Sequence, residues 1–298
     1  MGQHVICAGD SRADAVSITP CTYGFGARIE GAHAKLDLSQ PLTATQIQLI
    51  RQAWLKHRVI FFPDQPLTHR QLENFALQFG QFGTDPFVKP VEGHSNVLEV
   101  RREPDEQAIP FGASWHSDWS FQSSPPSATI LHAKVVPPMG GETLFADGVH
   151  AYDALDPRMQ HHLRGLKAIH SARRPYSYEG YYRSGGANRS MQIEPSDDAW
   201  ATQSHPILRT HPETGDVALW INPVYTVGIE GLPDSQAQEL LAQLTAHQIK
   251  HQFIYRHKWS TNMLAMWDNR CVQHAAQGGY DGHLRIMHRV TLAGDTPV

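Results

Sequence analysis

Leu284-Arg285-Ile286-Met287-His288-Arg289-Val290-Thr291-Leu292 is the stretch on which the fold turns. It follows a Gly-rich turn, mixes branched and apolar residues, and reads as one buried strand. Side chains on a strand alternate between faces, so Arg285, Met287 and Arg289 share one face and His288 takes the other. Runs of the same kind recur at Val97–Val100, Ala128–Val136, Val217–Ile221, Phe253–Tyr255 and Met263–Trp267, divided by turns that carry Pro and Gly. Upstream, Val59-Ile60-Phe61-Phe62, closed by Pro63, reads as another buried strand, and short strands are expected between Ser17 and Ala34. Helices interrupt this pattern. One opens at Thr43 and carries Ile47, Ile50 and Trp54; a second opens on the Thr68/Gln71 capping box and carries Leu72, Phe75 and Phe79, with Gly80 available to end it. Helical patterns also fall near 148–165 and 234–248. The sum predicts an α+β fold with a mainly β core, a double-stranded β-helix (jelly roll, cupin-like) with flanking and inserted helices. Neither a G-x-G-x-x-G nor a Walker A sequence is present, which removes the commonest nucleotide folds.

Composition narrows the function classes. A chain of 298 residues, 41% hydrophobic and 18% charged, is too apolar for a disordered chain and too mixed for a coiled coil or collagen repeat. No apolar run approaches the roughly 18 residues that suggest a membrane span. The N-terminus lacks both the basic and the continuous apolar region of a secretory signal. Cys7, Cys21 and Cys271 are odd in number and far apart, which argues against a disulfide framework and for a reducing cytoplasm. The formal charge of −4, without a basic block, carries no nucleic-acid footprint. Residues 1–15 read as a flexible N-terminal tail ahead of a single domain over 16–298. Within it, the polar segment 176–204 is either disordered or an active-site lid, and the sequence alone leaves both open.

The chemistry begins at Trp115-His116-Ser117-Asp118. In an extended strand His116 and Asp118 point the same way, roughly 7 Å apart at Cβ, and can share one metal ion. With 19 His and 17 Asp, chance supplies about one His-x-Asp triplet, and one occurs, so the triplet alone is weak. A rival, His211-Pro212-Glu213, precedes Thr214-Gly215 and reads as a hairpin cap. A distant third ligand would complete the 2-His-1-carboxylate triad of non-haem Fe(II) oxygenases.

That ligand emerges from Trp267-Asp268-Asn269-Arg270, followed by Cys271-Val272-Gln273-His274 and the 284–292 strand. Together with Gly140-Gly141-Glu142-Thr143-Leu144, Ala151-Tyr152-Asp153-Ala154-Leu155 and Thr210-His211-Pro212-Glu213-Thr214-Gly215, these segments are similar to the Fe(II)/2-oxoglutarate-dependent dioxygenases of the taurine dioxygenase and aryloxyalkanoate (2,4-D) dioxygenase type. The resemblance runs from about Thr19 to the C-terminus, and the joint spacing is far more specific than any single motif. It implies His116, Asp118 and His274 as iron ligands, with 2-oxoglutarate and O2 as cosubstrates. Arg285, eleven residues after His274, matches the arginine that holds the far carboxylate of 2-oxoglutarate, and Thr143 matches its hydroxyl partner. Arg289 matches the arginine that binds the substrate's anionic group.

Two arginines on one strand face, inside a barrel, need anions to pair with, and a dicarboxylate plus an acidic substrate would supply them. The alternative for either is a pairing with a buried Asp or Glu. The resemblance thus implies hydroxylation of a small anionic organic substrate (a sulfonate, sulfate ester or aryloxy/carboxylic acid), with no nucleic-acid or membrane partner. Taurine-type relatives carry a His and a Tyr in the loop after the second helix; the nearest alignment puts Asp85 and Val88 there, which argues against taurine itself. A metal-dependent hydrolase and a non-catalytic jelly-roll binding protein are the alternatives. The exposed amphipathic helices permit a homo-oligomer, dimer or tetramer.

Overall fold

In the computed structural model, which describes residues 4–6, 15–21, 25–184 and 189–298, strands β1 (His4–Ile6), β2 (Val16–Pro20) and β3 (Ala27–Gly31) lead into helix α1 (Ala44–His57), strand β4 (Val59–Phe62) and helix α2 (His69–Leu77). Strands β5 (Leu98–Arg102), β6 (Ala128–Val135) and β7 (Thr143–Asp147) follow, then helices α3 (Gly148–Asp153) and α4 (Pro157–Leu163) and strand β8 (Lys167–Ser171). Two one-turn helices, α5 (Arg173–Tyr176) and α6 (Tyr181–Ser184), precede strands β9 (Thr202–Pro206), β10 (Leu208–Thr210), β11 (Val217–Leu219) and β12 (Thr226–Ile229). Helix α7 (Asp234–Gln248) and strands β13 (Ile254–His257), β14 (Leu264–Asp268), β15 (Val272–Ala276) and β16 (Arg285–Leu292) complete the chain.

The fold is α+β. An eight-stranded sheet runs β1-β2-β3-β4-β14-β6-β16-β5, antiparallel except for the β3–β4 pair, beside a three-stranded sheet ordered β13-β7-β15. Smaller sheets β12-β8-β9 and β10-β11 are attached.

The central strands are apolar on both faces because both are covered. Ile60, Phe62, Leu264, Met266, Val290 and Leu292 pack under α1 and α2 with Trp54, Leu72 and Phe75. The alternating residues Val59, Phe61, Ala265, Trp267, Leu131 and Met287 pack inward against Phe145 and Val272 of the smaller sheet. Burying one such large side chain is worth roughly 1.5–3 kcal/mol, which is why β4 reads as an unbroken apolar run. Arg285 and Arg289 lie on the inward face with Met287.

Both helix starts follow their sequence signals: Thr43 and Thr68 each accept from the backbone three residues on, and Gln46 and Gln71 return the bond. Helix α2 ends at Leu77, before Gly80 is reached. Most of the expected tail at residues 1–15 lies outside the described residues; within it His4–Ile6 pair antiparallel with Val16–Ile18. Of the segment 176–204, residues 185–188 lie outside the described residues, and the remainder includes α6 and a short 3-10 turn at Asp197–Trp200. Among the described residues no helix is long and apolar enough to cross a membrane.

Candidate metal centre

His116 and His274 come from segments far apart in sequence, and the backbone joins them directly. The amide of His116 donates to the carbonyl of His274 at 3.0 Å, and the reverse bond is 2.8 Å. Ser117 Oγ donates to the carbonyl of Val272 at 2.8 Å and ties the same two segments. The expected strand through Trp115–Asp118 is reduced to this one-residue bridge. The chain turns at Asp118, and Trp119 adopts a φ of +47°. The turn has a packing cause: it carries the Trp119 indole into an aromatic cluster with Phe87, Tyr176 and Tyr225 while Asp118 faces the two imidazoles.

The three ligand atoms lie within 4.8 Å of one another, all in buried residues. His116 Nε2 is 3.6 Å from Asp118 Oδ1, and His274 Nε2 is 3.9 Å from Oδ2. Those separations exceed a hydrogen bond and leave a gap that a small divalent cation fits. Protonation suits a cation as well. His116 Nδ1 faces the Ser114 carbonyl at 2.7 Å; a carbonyl only accepts, so the proton sits on Nδ1 and Nε2 keeps its lone pair. Burial pushes both imidazole pKa values down, that of His274 to about 3. Burial alone would raise Asp118, but Arg289, His274 and His116 outweigh it and hold the carboxyl at about 2. Two neutral imidazoles and one carboxylate are the donor set that suits iron(II).

The Asp118 carboxylate is fixed on both sides. Thr129 Oγ1 donates to Oδ2 at 2.6 Å, and Arg289 Nη1 donates to Oδ1 at 3.2 Å. Behind Thr129 stands Asn269, whose Nδ2 donates to Thr129 Oγ1 at 2.8 Å and whose Oδ1 accepts from Trp267 Nε1 at 3.1 Å. Sequence reasoning gave no role to Thr129 or Asn269. The signal for Asn269 was its place in the Trp267–Arg270 motif; Thr129 had none. Asp268, next in that motif, serves the fold. Arg270 binds both its oxygens and His211 Nε2 lies 3.0 Å away, while His211 Nδ1 accepts from the amides of Glu213 and Thr214, the expected hairpin cap.

Arg285 and Arg289 differ in their surroundings. One cavity is lined by His116, His274, Thr143, Arg285 and Arg289. Among the described residues Arg285, 6% exposed, has as polar or ring partners only the Gly141 carbonyl at 3.5 Å and the Tyr280 ring, whose centroid lies 5.9 Å from Cζ. Burial works against its charge, with Tyr280 the one group that favours it. Thr143 Oγ1 accepts from Trp259 Nε1 at 3.0 Å and keeps its own proton to donate. Arg289, by contrast, is paired twice. Besides Asp118, its Nη2 donates to Asp85 Oδ1 at 2.8 Å. A second cavity, which touches both His116 and Asp118, is walled by Phe111, Tyr176, Tyr182 and Tyr225 and also reaches Arg289.

Residues 17–291 match the family described as taurine catabolism dioxygenase TauD, TfdA family. The chain belongs to this family. It is an Fe(II)- and 2-oxoglutarate-dependent dioxygenase, an oxidoreductase. A relative from Pseudomonas putida, an alpha-ketoglutarate-dependent sulfate ester dioxygenase, is 32% identical over 95% of this chain and 91% of its own length. The alpha-ketoglutarate-dependent 2,4-dichlorophenoxyacetate dioxygenase of Cupriavidus pinatubonensis is 33% identical, covering 88% of this chain and 94% of its own. Among solved structures, a taurine dioxygenase from Burkholderia xenovorans superposes with a TM-score of 0.77 at 29% identity, covering 95% of this chain and 92% of that one. AAD-2 in complex with Mn(II) and N-oxalylglycine gives 0.76 at 30% identity, covering 95% and 98%.

Proposed function

We propose that this TauD/TfdA dioxygenase hydroxylates a small organic acid (a sulfonate, sulfate ester or aryloxy acid), with His116, Asp118 and His274 as the iron ligands. The observation that carries the assignment is the convergence of three ligand atoms within 4.8 Å beside a buried guanidinium that has no carboxylate partner among the described residues. Bound iron and 2-oxoglutarate together supply the oxidation by O2, with the keto acid decarboxylated to succinate. The protein does the rest.

Thr129 and Arg289 orient the carboxylate of Asp118, and burial keeps both imidazoles neutral and available as ligands. Arg285 pairs with the far carboxylate of 2-oxoglutarate, a planar fork meeting a planar anion, and the Thr143 hydroxyl donates to the same group. Arg289 receives the acid group of the substrate. The aromatic wall of Phe111, Tyr176, Tyr182 and Tyr225 holds the substrate's body and keeps bulk water from the reacting carbon. The α5–α6 segment supplies three tyrosines to this wall, Tyr176, Tyr181 and Tyr182, which supports a covering role for the described part of 176–204.

The same reading takes the two facing sheets as a double-stranded β-helix, supported by the shared inward core of Phe61, Leu131, Phe145, Trp267 and Met287. The free thiols Cys21 and Cys271 fit a reducing cytoplasm. The decisive experiment replaces His116 or Asp118 by Ala. Substrate-dependent succinate formation is expected to vanish in both variants; if either retains it, the ligand assignment is wrong.

A further inference from the structure

Arg285 and Arg289 stand four positions apart and both reach the same cavity, yet among the described residues only Arg289 is already neutralised. Its partner Asp85 sits in the loop after α2, with its side chain 10% exposed. Asp85 Oδ1 accepts from Arg289 Nη2 and from the indole Nε1 of Trp119, and Oδ2 accepts from Thr291 Oγ1 at 3.1 Å. Donors from three separate positions hold this carboxylate, so it is built in place. The guanidinium is held as firmly, its Cζ 4.9 Å from the Trp119 ring and 5.8 Å from that of Phe111. Once Asp118 is committed to a metal cation, Asp85 alone still balances Arg289. An incoming acid therefore meets a neutral pair, and its charge gains far less there than beside the unpaired Arg285.

We infer that Asp85 is a built-in counter-ion that sets which acids the enzyme accepts, favouring acids with a flat apolar body over compact acids held by charge alone. The inference rests on the reading of the site as one for organic acids. With the acid group weakly rewarded, affinity comes from stacking and apolar burial against Phe111, Tyr176, Tyr182 and Tyr225. Asp85 thus acts as a specificity-determining residue through Arg289, without touching the reacting atoms.

The test compares wild type with Asp85→Asn, Asp85→Ser and the charge-keeping Asp85→Glu. The ligands are phenoxyacetate, its neutral isostere phenoxyacetamide, and 1-propanesulfonate. Dissociation constants are measured by calorimetry with iron(II) and 2-oxoglutarate under argon, and KM values by succinate release in air. In the Asn and Ser variants the acid is expected to tighten at least tenfold relative to the amide. The propanesulfonate should gain more than phenoxyacetate, and Glu should keep the wild-type ratio. An acid-to-amide ratio that moves less than threefold, or acid binding that weakens while amide binding holds, overturns the role of Asp85 alone. If no acid of the panel binds any of the proteins, the organic-acid reading falls and takes the inference with it.

Discussion

Thr129 is the residue whose removal best separates holding the metal from holding the fold. Its hydroxyl is the shortest polar contact to Asp118, and Asn269 fixes its direction from behind. Thr129→Val keeps the shape of the side chain and removes the hydroxyl. Partners of this kind behind a metal ligand are worth roughly 10–100-fold in metal affinity. The variant is expected to bind iron(II) weaker by that factor, read by metal titration, with its thermal midpoint little changed. Metal affinity equal to wild type would show that Arg289 alone orients the carboxylate. At this scale the sequence nominated His116, Asp118, His274 and Arg285 through residue type and the family resemblance, and these four converge on one site. It was silent on Thr129, because a threonine on a strand is ordinary until the chain brings a carboxylate against it.

At the scale of elements, the turn before β7 positions Arg285 from outside its own strand. Gly140 has a φ of +69°, and a Cβ built on it would fall 2.4 Å from the Gly279 carbonyl oxygen. The turn at 140–141 and the turn leading to β16 therefore meet backbone to backbone, and the amide of Gly141 donates to the carbonyl of Gly278 at 3.1 Å. Gly140→Ala must both adopt a left-handed backbone and push the two turns apart. The expected cost is about 1–3 kcal/mol in stability, seen as a lower denaturant midpoint, together with a raised KM for 2-oxoglutarate as Arg285 shifts. A variant with normal stability and normal KM would mean that the turn does not seat the arginine. The same scale shows why the 115–118 strand was misjudged. Alternation put His116 and Asp118 on one side correctly, but the turn at Trp119 depends on a cluster contributed by the distant Phe87, Tyr176 and Tyr225.

Across the whole molecule, several histidines are buried and neutral without serving the metal centre. Burial pushes His132 down to about 4, and His170 and His257 to about 3. In the unfolded chain each titrates near 6.5. Between those values the unfolded state binds more protons than the folded one, so stability rises with pH and is lost as pH falls below about 6.5. Each such group contributes up to about 1.4 kcal/mol per pH unit over that window. Thermal melts of the metal-free protein are expected to be flat above pH 7 and to drop steeply between pH 6.5 and 5. A midpoint that stays level across that interval would contradict the neutral burial of these three residues.

What the sequence by itself determined was the material of the fold and the identity of its reagents. Apolar alternation marked the strands, capping boxes marked α1 and α2, and the spacing of His116, Asp118, His274, Thr143 and Arg285 marked the family. Alternation and caps are local properties set by backbone geometry and side-chain chemistry, and the family spacing is a matter of order along the chain, so all of them survive in a linear reading. The pairing of each charge was decided only in three dimensions. Arg285 and Arg289 stand four positions apart on one strand face, and their spacing does not say which will meet a carboxylate; among the described residues folding leaves the first without one and brings Asp85, some two hundred residues away in the chain, against the second. Coulomb energy depends on distance in space, and that distance exists only once the sheets have closed around the site.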